Sequence, residues 1–307
     1  MVLTTSVERA VVALRAGGLV AIPTETVYGL GADAEDETAV RRIFEVKGRP
    51  AGHPLIVHLA LDTVAAWAGD LPPAAAVLAV TCWPGPLTVL LPRTDRVSPV
   101  VTGGRDTMGL RVPAHPMTQQ LLTRSGRGIA APSANRYGRV SPTTAQHVVD
   151  DLGPFLDPAL DVVLDGGACP IGVESTIVDC SVDPPQLLRP GGIAAEDIER
   201  LLDVALAPAS GPSRAAGMLA SHYRPVAEVL LVDDARVADR RAGELARDGR
   251  RPTVLDDTND LVAYAHDLYA RLRRADDEGY DVIVAVLPPP IGLGHAIRDR
   301  LHKAAAS

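Results

Sequence analysis

Few residues of this 307-residue chain have types and spacing suited to chemistry, and most of them bind anions. Lys47-x-Arg49 follows a helical pattern and precedes Pro50, so two cations stand at a helix end. That arrangement serves either as a complement to the helix dipole or as a phosphate clamp. Only two lysines occur in the chain, Lys47 and Lys303, and nearly every other cation is Arg. A compact ammonium and a planar guanidinium are not equivalent at a tight contact, so a lysine kept at position 47 points to a place where Arg does not fit. Arg111 lies between apolar neighbours in Gly109-Leu110-Arg111-Val112, and so is either an edge residue or a fork for a carboxylate or phosphate. Arg189 closes an apolar run before Pro190-Gly191-Gly192 and is a further phosphate contact by type. Ser133 and Ser141 flank a small-residue, hydroxyl-rich loop with two arginines. Such a loop either caps and turns the chain or admits a ligand to the backbone. No Ser-His-Asp or Cys-His arrangement can be assembled, so covalent nucleophilic catalysis is not expected.

The elements around these residues follow from periodicity. Leu19 to Ile22 reads as a buried strand stopped by Pro23, followed by a polar turn over Thr24 to Gly31 with two glycines. A helix with Ala39, Val40, Ile43 and Phe44 on one face leads to Lys47, and a strand follows over Leu55 to Leu59. Capping boxes are expected at Thr5-x-x-Glu8 and Thr143-x-x-Gln146. Further helices are expected over 63–67, 74–81, 117–122 and 195–202, and strands over 87–91, 109–113, 128–132, 162–165, 172–179 and 186–189. Trp83 reads as core. Residues 203–221 are rich in Ala, Pro, Ser and Gly, a linker composition. Beyond it, strands at 229–232, 253–255 and 282–286 alternate with helices at 236–247, 261–272 and 295–305, the pattern of a small parallel α/β unit. Gly292-x-Gly294 reads as a tight turn before the last helix.

Composition narrows the function classes. The 47% apolar content is ample for two cores, but 3% aromatics leaves them to Val, Leu, Ile and Ala. The net charge of −8, with neither half basic, argues against a nucleic-acid platform. Cys82, Cys169 and Cys180 are odd in number and lack metal spacing, which fits a reduced, cytoplasmic protein. The N-terminal stretch reads as an amphipathic helix rather than a signal peptide, and the longest uncharged run, 71–92, is broken by prolines, so no membrane segment is expected.

Six ordered motifs carry a resemblance: PTETVYGLG, KGRPAGHPLIVH, WPGPLTVLL, LRVP, APSAN with SPTTA, and GVESTIVD with LLRPGG. Together they resemble the YrdC-like family, and Ser221-His222-Tyr223-Arg224-Pro225 with the 292–301 segment is similar to its two-domain threonylcarbamoyl-AMP synthase branch. The resemblance implies an α/β fold: a YrdC-like twisted mixed sheet with helices around a concave cavity, plus a small Rossmann-like parallel α/β C-terminal domain. Expected boundaries are 1–204 for the catalytic domain, 205–225 for a linker reaching the active site, and 226–307 for the second domain.

The function implied is nucleotidyl transfer: L-threonine, bicarbonate and ATP give L-threonylcarbamoyl-AMP and pyrophosphate, and the adenylate feeds threonylcarbamoyladenosine synthesis in tRNA through downstream transfer proteins. By motif, L-threonine would be held by Thr26, His58, Arg111, Ala131 and Ser175. ATP would be held by Lys47, Arg49, His53, Thr107, Ser133, Ser141, Arg189 and Tyr223, with Mg²⁺ carried on its phosphates and Lys47 and Arg49 acting on the reacting groups. Tyr223 is expected to form part of a lid that keeps water from a hydrolysable adenylate. The family usually has Asn where this chain has His53, so ATP binding is expected to depend on pH near neutrality. A carbamoyl-transfer enzyme and an RNA-binding or ribosome-associated module are the competing readings.

Overall fold

The computed structural model describes residues 2–210 and 223–306. Ser221 and His222 of the linker motif lie outside the described residues. The first unit holds strands β1 (Val2–Thr4), β2 (Val20–Ile22), β3 (Gly29–Asp33), β4 (Ile56–His58), β5 (Leu87–Pro92), β6 (Thr107–Arg111), β7 (Ile129–Ala131), β8 (Val162–Leu164), β9 (Thr176–Asp179), β10 (Gln186–Arg189) and β11 (Ala207–Pro208). Its helices are α1 (Val7–Arg15), α2 (Glu37–Lys47), α3 (Val64–Ala68), α4 (Pro73–Cys82), α5 (Pro99–Thr102), α6 (Pro116–Ser125), α7 (Ala145–Leu152) and α8 (Ala195–Leu202). The second unit holds β12 (Glu228–Val232), α9 (Ala235–Arg247), β13 (Pro252–Leu255), α10 (Leu261–Asp277), β14 (Val282–Val286) and α11 (Leu293–Ala305).

The first sheet is mixed, in the order β1-β8-β2-β3-β7-β4-β6-β5-β9-β10-β11. Its centre alternates antiparallel pairs (β3–β7, β7–β4, β5–β6) with parallel ones (β4–β6, β5–β9). The second sheet is parallel throughout, in the order β12-β14-β13. The expected architecture, a twisted mixed sheet followed by a small parallel α/β unit, is what the chain forms. Trp83 is core as expected; its Nε1 donates to the Leu87 carbonyl at 2.8 Å.

Several local expectations need correction. The polar turn expected over Thr24 to Gly31 ends at Tyr28, and Gly29–Asp33 is a fully buried strand. Its glycine positions carry no side chain because a neighbour comes too close: a Cβ at Gly31 would sit 2.4 Å from Ile129 Cγ2 on β7. Glycine there signals close approach rather than a turn. Both capping boxes shift by one residue. Ser6, not Thr5, accepts from the Arg9 amide, and Thr144, not Thr143, accepts from the His147 amide. In each pair two adjacent hydroxyls compete, and periodicity alone does not separate them. β1 was not expected, since three residues ahead of a helix show no alternation, yet they pair in parallel with β8. Helix α10 runs to Asp277, a turn and more beyond the expected end.

Candidate active site

Strand ends and loops of the first sheet meet in a cavity of about 50 Å³. It is lined by Thr26, Arg49, His58, Arg111, Ala131, Ser133, Ser175, Arg189 and Tyr223, together with Glu174 and the β2–β3 loop. Nine residues singled out from sequence thus converge on one place, although they come from eight separate segments.

One wall is built around Arg111 at the end of β6. It is buried, and its Nη2 donates to Glu25 Oε1 at 2.7 Å and to Thr26 Oγ1 at 2.9 Å, while Nε reaches the Gly85 carbonyl at 3.4 Å. The second Glu25 oxygen accepts from the Ala114 amide at 2.9 Å. Burial works to raise the Glu25 pKa, but Arg111 overcomes it and the net shift is downward, so the pair stays charged. Thr24 and Thr26 share a hydrogen bond at 2.8 Å that fixes the loop. His58 ends β4 beside Arg111, its Nδ1 facing the Ile129 carbonyl at 3.4 Å. Burial first, and Arg111 second, pull its pKa down to about 3, so the imidazole is neutral.

Two further cations, Arg49 and Arg189, also line the cavity. Arg189, at the end of β10, places Nε and Nη2 on the Ser175 carbonyl at 3.1 and 2.8 Å, and Nη2 also reaches Ser175 Oγ at 3.1 Å. Ser175 Oγ in turn shares a 2.8 Å hydrogen bond with Thr88. Arg49 donates from Nη2 to the Pro54 carbonyl at 3.1 Å, while its buried Nε has no hydrogen-bond partner. Burial pulls the Arg49 pKa down to about 10. A desolvated guanidinium with spare donor capacity is a site for an anion.

Lys47, His53, Thr107 and Ser141 do not line the cavity. Lys47, the last residue of α2, stands one layer behind it. Its ammonium is buried and donates to the carbonyl of Ser133 at 2.6 Å and to that of Asn135. Burial drives its pKa well down, with Arg49 adding to the effect. Gly48 follows at φ 62°, with Arg136 packed against it. Of the two arginines of the 133–141 loop, Arg136 is structural: it donates to the Val46 carbonyl at 2.5 Å and stacks over Phe155. His53 lies near the mouth against Tyr137, and burial, Arg49 and Arg105 lower its pKa. Thr107 begins β6 opposite Pro92. Ser141 is buried and donates to Glu174 at 2.6 Å.

Four residues with structural weight here had no role assigned from sequence: Glu25, Glu174, Tyr269 and Arg300. Glu174 lines the cavity and accepts from Ser141, from the Tyr269 hydroxyl at 2.8 Å and from Arg300 Nε at 2.9 Å. Burial opposes its ionisation, but Arg300 and Arg189 prevail and hold its pKa at about 2. Tyr223 is buried in the cavity floor, stacked on Tyr269 at 5.5 Å, with backbone φ of 63°. The signals were present. Glu174 interrupts a buried run, Val173 to Asp179. The apolar spacing Ala296, Ile297, Leu301, Ala304 puts Arg300 on the buried face of α11.

Fold and cavity define the class: a two-unit α/β protein with a buried, arginine-lined cavity. Residues 12–191 match the Sua5/YciO/YrdC family, which carries the description telomere recombination, and residues 193–306 match the threonylcarbamoyl-AMP synthase C-terminal domain. A Pyrococcus abyssi protein named threonylcarbamoyl-AMP synthase is 43% identical, with 95% of this chain and 91% of the relative covered. A Bacillus subtilis protein of the same name is 40% identical, with 97% and 92% covered. The crystal structure of P. abyssi Sua5 complexed with L-threonine superposes with a TM-score of 0.90 at 40% identity, covering 99% of this chain and 96% of that one. The chain belongs to the Sua5/YciO/YrdC family and carries the C-terminal domain of its threonylcarbamoyl-AMP synthases.

Proposed function

We propose that this protein makes L-threonylcarbamoyl-AMP from L-threonine, bicarbonate and ATP with release of pyrophosphate, supplying threonylcarbamoyladenosine formation in tRNA. One observation carries the reading: a single cavity is lined by Arg111, Arg49 and Arg189, groups suited to a carboxylate and to phosphates. Full-length relatives of that name support it.

In this reading Arg111, preset by Glu25 and Thr26, takes the threonine carboxylate. His58, neutral, offers a hydrogen bond without adding charge, and Ala131 and Ser175 complete the pocket. The threonine amine bonds to the carbon of bicarbonate, with loss of water, to give N-carboxy-threonine. A carbamate oxygen then attacks the α-phosphorus of ATP. The bond to the bridging oxygen breaks, and pyrophosphate leaves with its electron pair. Such a step needs alignment and charge neutralisation more than a protein nucleophile. Arg49, Arg189 and Ser133 are placed for the phosphates. Lys47 acts with them by holding the Ser133 carbonyl, and Ser141, His53 and Thr107 bound the nucleotide side. Among the described residues, Tyr223 is the only one from beyond position 189 to line the cavity, which supports assigning it to a lid over the nucleotide.

Mg²⁺ belongs to this reading as part of the nucleotide substrate, carried on its phosphates. Cytoplasmic placement belongs to it as well, supported by three free cysteines. No helix among the described residues is long and apolar enough to cross a membrane. Transfer proteins acting on tRNA would take the product, and the net charge of −8 supports leaving strong RNA binding to them. Pyrophosphate release from ATP and bicarbonate tests the proposal. Release that requires L-threonine and is not supported by L-serine is expected; release indifferent to the amino acid would refute it.

A further inference from the structure

Two side chains of the second domain meet Glu174, a residue that lines the cavity. Arg300 on α11 has no exposed surface. Its Nε donates to Glu174 Oε2 at 2.9 Å and its Nη1 to the Pro190 carbonyl at 2.7 Å, beside Arg189. Tyr269 on α10 donates to the same Glu174 oxygen at 2.8 Å. The other Glu174 oxygen takes the Ser141 hydroxyl at 2.6 Å. The same two side chains frame Tyr223: Tyr269 stacks on it, and the Arg300 guanidinium lies 5.4 Å from its ring. Backbone packing locks this geometry. A Cβ at Gly172 would sit 2.3 Å from the His266 carbonyl on α10, and one at Gly191 would sit 2.4 Å from the Glu174 carbonyl.

We propose that Glu174 and Arg300 are a positioning pair through which the second domain sets the nucleotide side of the cavity, by orienting Ser141 and holding Tyr223 in its left-handed conformation. Two observations separate this from simple docking glue. Buried ion pairs are weak glue, since apolar residues of similar volume generally dock two surfaces as well or better, so a fully buried Arg–Glu pair at a domain boundary calls for a further role. Tyrosine at φ 63° is sterically disfavoured and persists only where its surroundings dictate it; here they include Tyr269 and Arg300, beside the Arg224 amide bonded to the Gly138 carbonyl at 2.9 Å. The side chains of Arg111, Glu25, Thr26 and His58, in contrast, take their hydrogen bonds from the first unit.

The inference rests on the activity proposed above and assigns the second domain a part in ATP use. Its test is calorimetric titration of the full chain with L-threonine and with ATP, alongside KM for ATP in pyrophosphate release and thermal unfolding. The variants are Tyr269→Phe, Arg300→Met, Arg300→Lys and Glu174→Gln, with Arg241→Ala on the exposed face of α9 as control. Tyr269→Phe keeps the packing and removes one hydrogen bond to a charged group, and is expected to weaken ATP binding roughly tenfold while L-threonine binding stays within about twofold. Arg300→Met is expected to do more, and Arg300→Lys to recover part of the loss by restoring charge without the fork. Loss of both affinities in step with lost stability would show a purely structural role and overturn the proposal. Wild-type ATP affinity in every variant, in a protein whose threonine-dependent release is intact, would overturn the pair alone. Absence of that release in the wild-type protein would remove the activity and the pair's role together.

Discussion

Two buried Arg–Glu pairs face this cavity, and they are built differently. Arg111 and Glu25, 2.7 Å apart, both come from the first unit, the end of β6 and the loop between β2 and β3. Arg300 and Glu174, 2.9 Å apart, come from different domains, 126 positions apart in the chain. The first pair is complete within one unit, so the side proposed for L-threonine draws its charge pair from that unit alone. The second pair is complete only with both units, so the side proposed for the nucleotide depends on their contact. In the proposed reaction the small amino acid and the large nucleotide thus meet sides of different construction.

The comparison breaks most visibly at Arg111. Arg111→Leu leaves Glu25 buried without its partner, at a cost of about 3–5 kcal/mol of stability, and removes the carboxylate fork. L-threonine binding should be lost and turnover should fall by roughly 10²–10³-fold, while ATP still binds. Arg111→Lys guards against misfolding, and threonine titration of either variant at wild-type affinity would sever the pair from substrate.

Lys47→Arg probes the layer behind the cavity. The ammonium is buried on the Ser133 and Asn135 carbonyls, so a larger guanidinium forces the loop outward at about 1–3 kcal/mol. Turnover should drop although charge is retained; wild-type turnover would show that only charge matters at 47. Tyr223→Ala is expected to raise KM for ATP by roughly five- to tenfold, since the ring contributes stacking on Tyr269, with KM for L-threonine unchanged. Equal shifts in both constants would erase the distinction between the two sides.

The smallest effect is in pH. The folded-state pKa of His58 is depressed from 6.5 to about 3, so the unfolded chain binds the proton first. The stability this histidine contributes is complete above pH 6.5 and is lost as pH falls toward 3, at roughly 1.4 kcal/mol per pH unit. His53 and His147, also depressed, add in the same direction. Glu174, held at about 2, joins only below its ordinary value of 4.5. Denaturant midpoints at pH 7 and pH 5.5 measure this, and His58→Gln should flatten the slope; an unchanged slope would place the acid sensitivity elsewhere.

Much of this was legible in the chain. Periodicity located the helices, and the ordered motifs brought nine cavity residues to one place because each sits where an apolar run ends. What escaped was relational. Gly29–Asp33 reads as a turn because its glycines mark the closeness of Ile129, a residue about a hundred positions away. Glu25 reads as a loop carboxylate until Arg111 arrives beside it. Arg300 reads as a lapse in an apolar stripe until Glu174 from the other domain gives it a partner. A buried charge is visible in a sequence as a misfit, but its partner is set by topology.

The most direct measurement is to incubate the protein with ATP, ¹³C-bicarbonate and L-threonine and to analyse the products by mass spectrometry at short times. The account predicts an adenylate carrying threonine and the bicarbonate-derived ¹³C label, formed in step with pyrophosphate. Pyrophosphate with unlabelled adenylate, or with AMP alone at the earliest times, would contradict it.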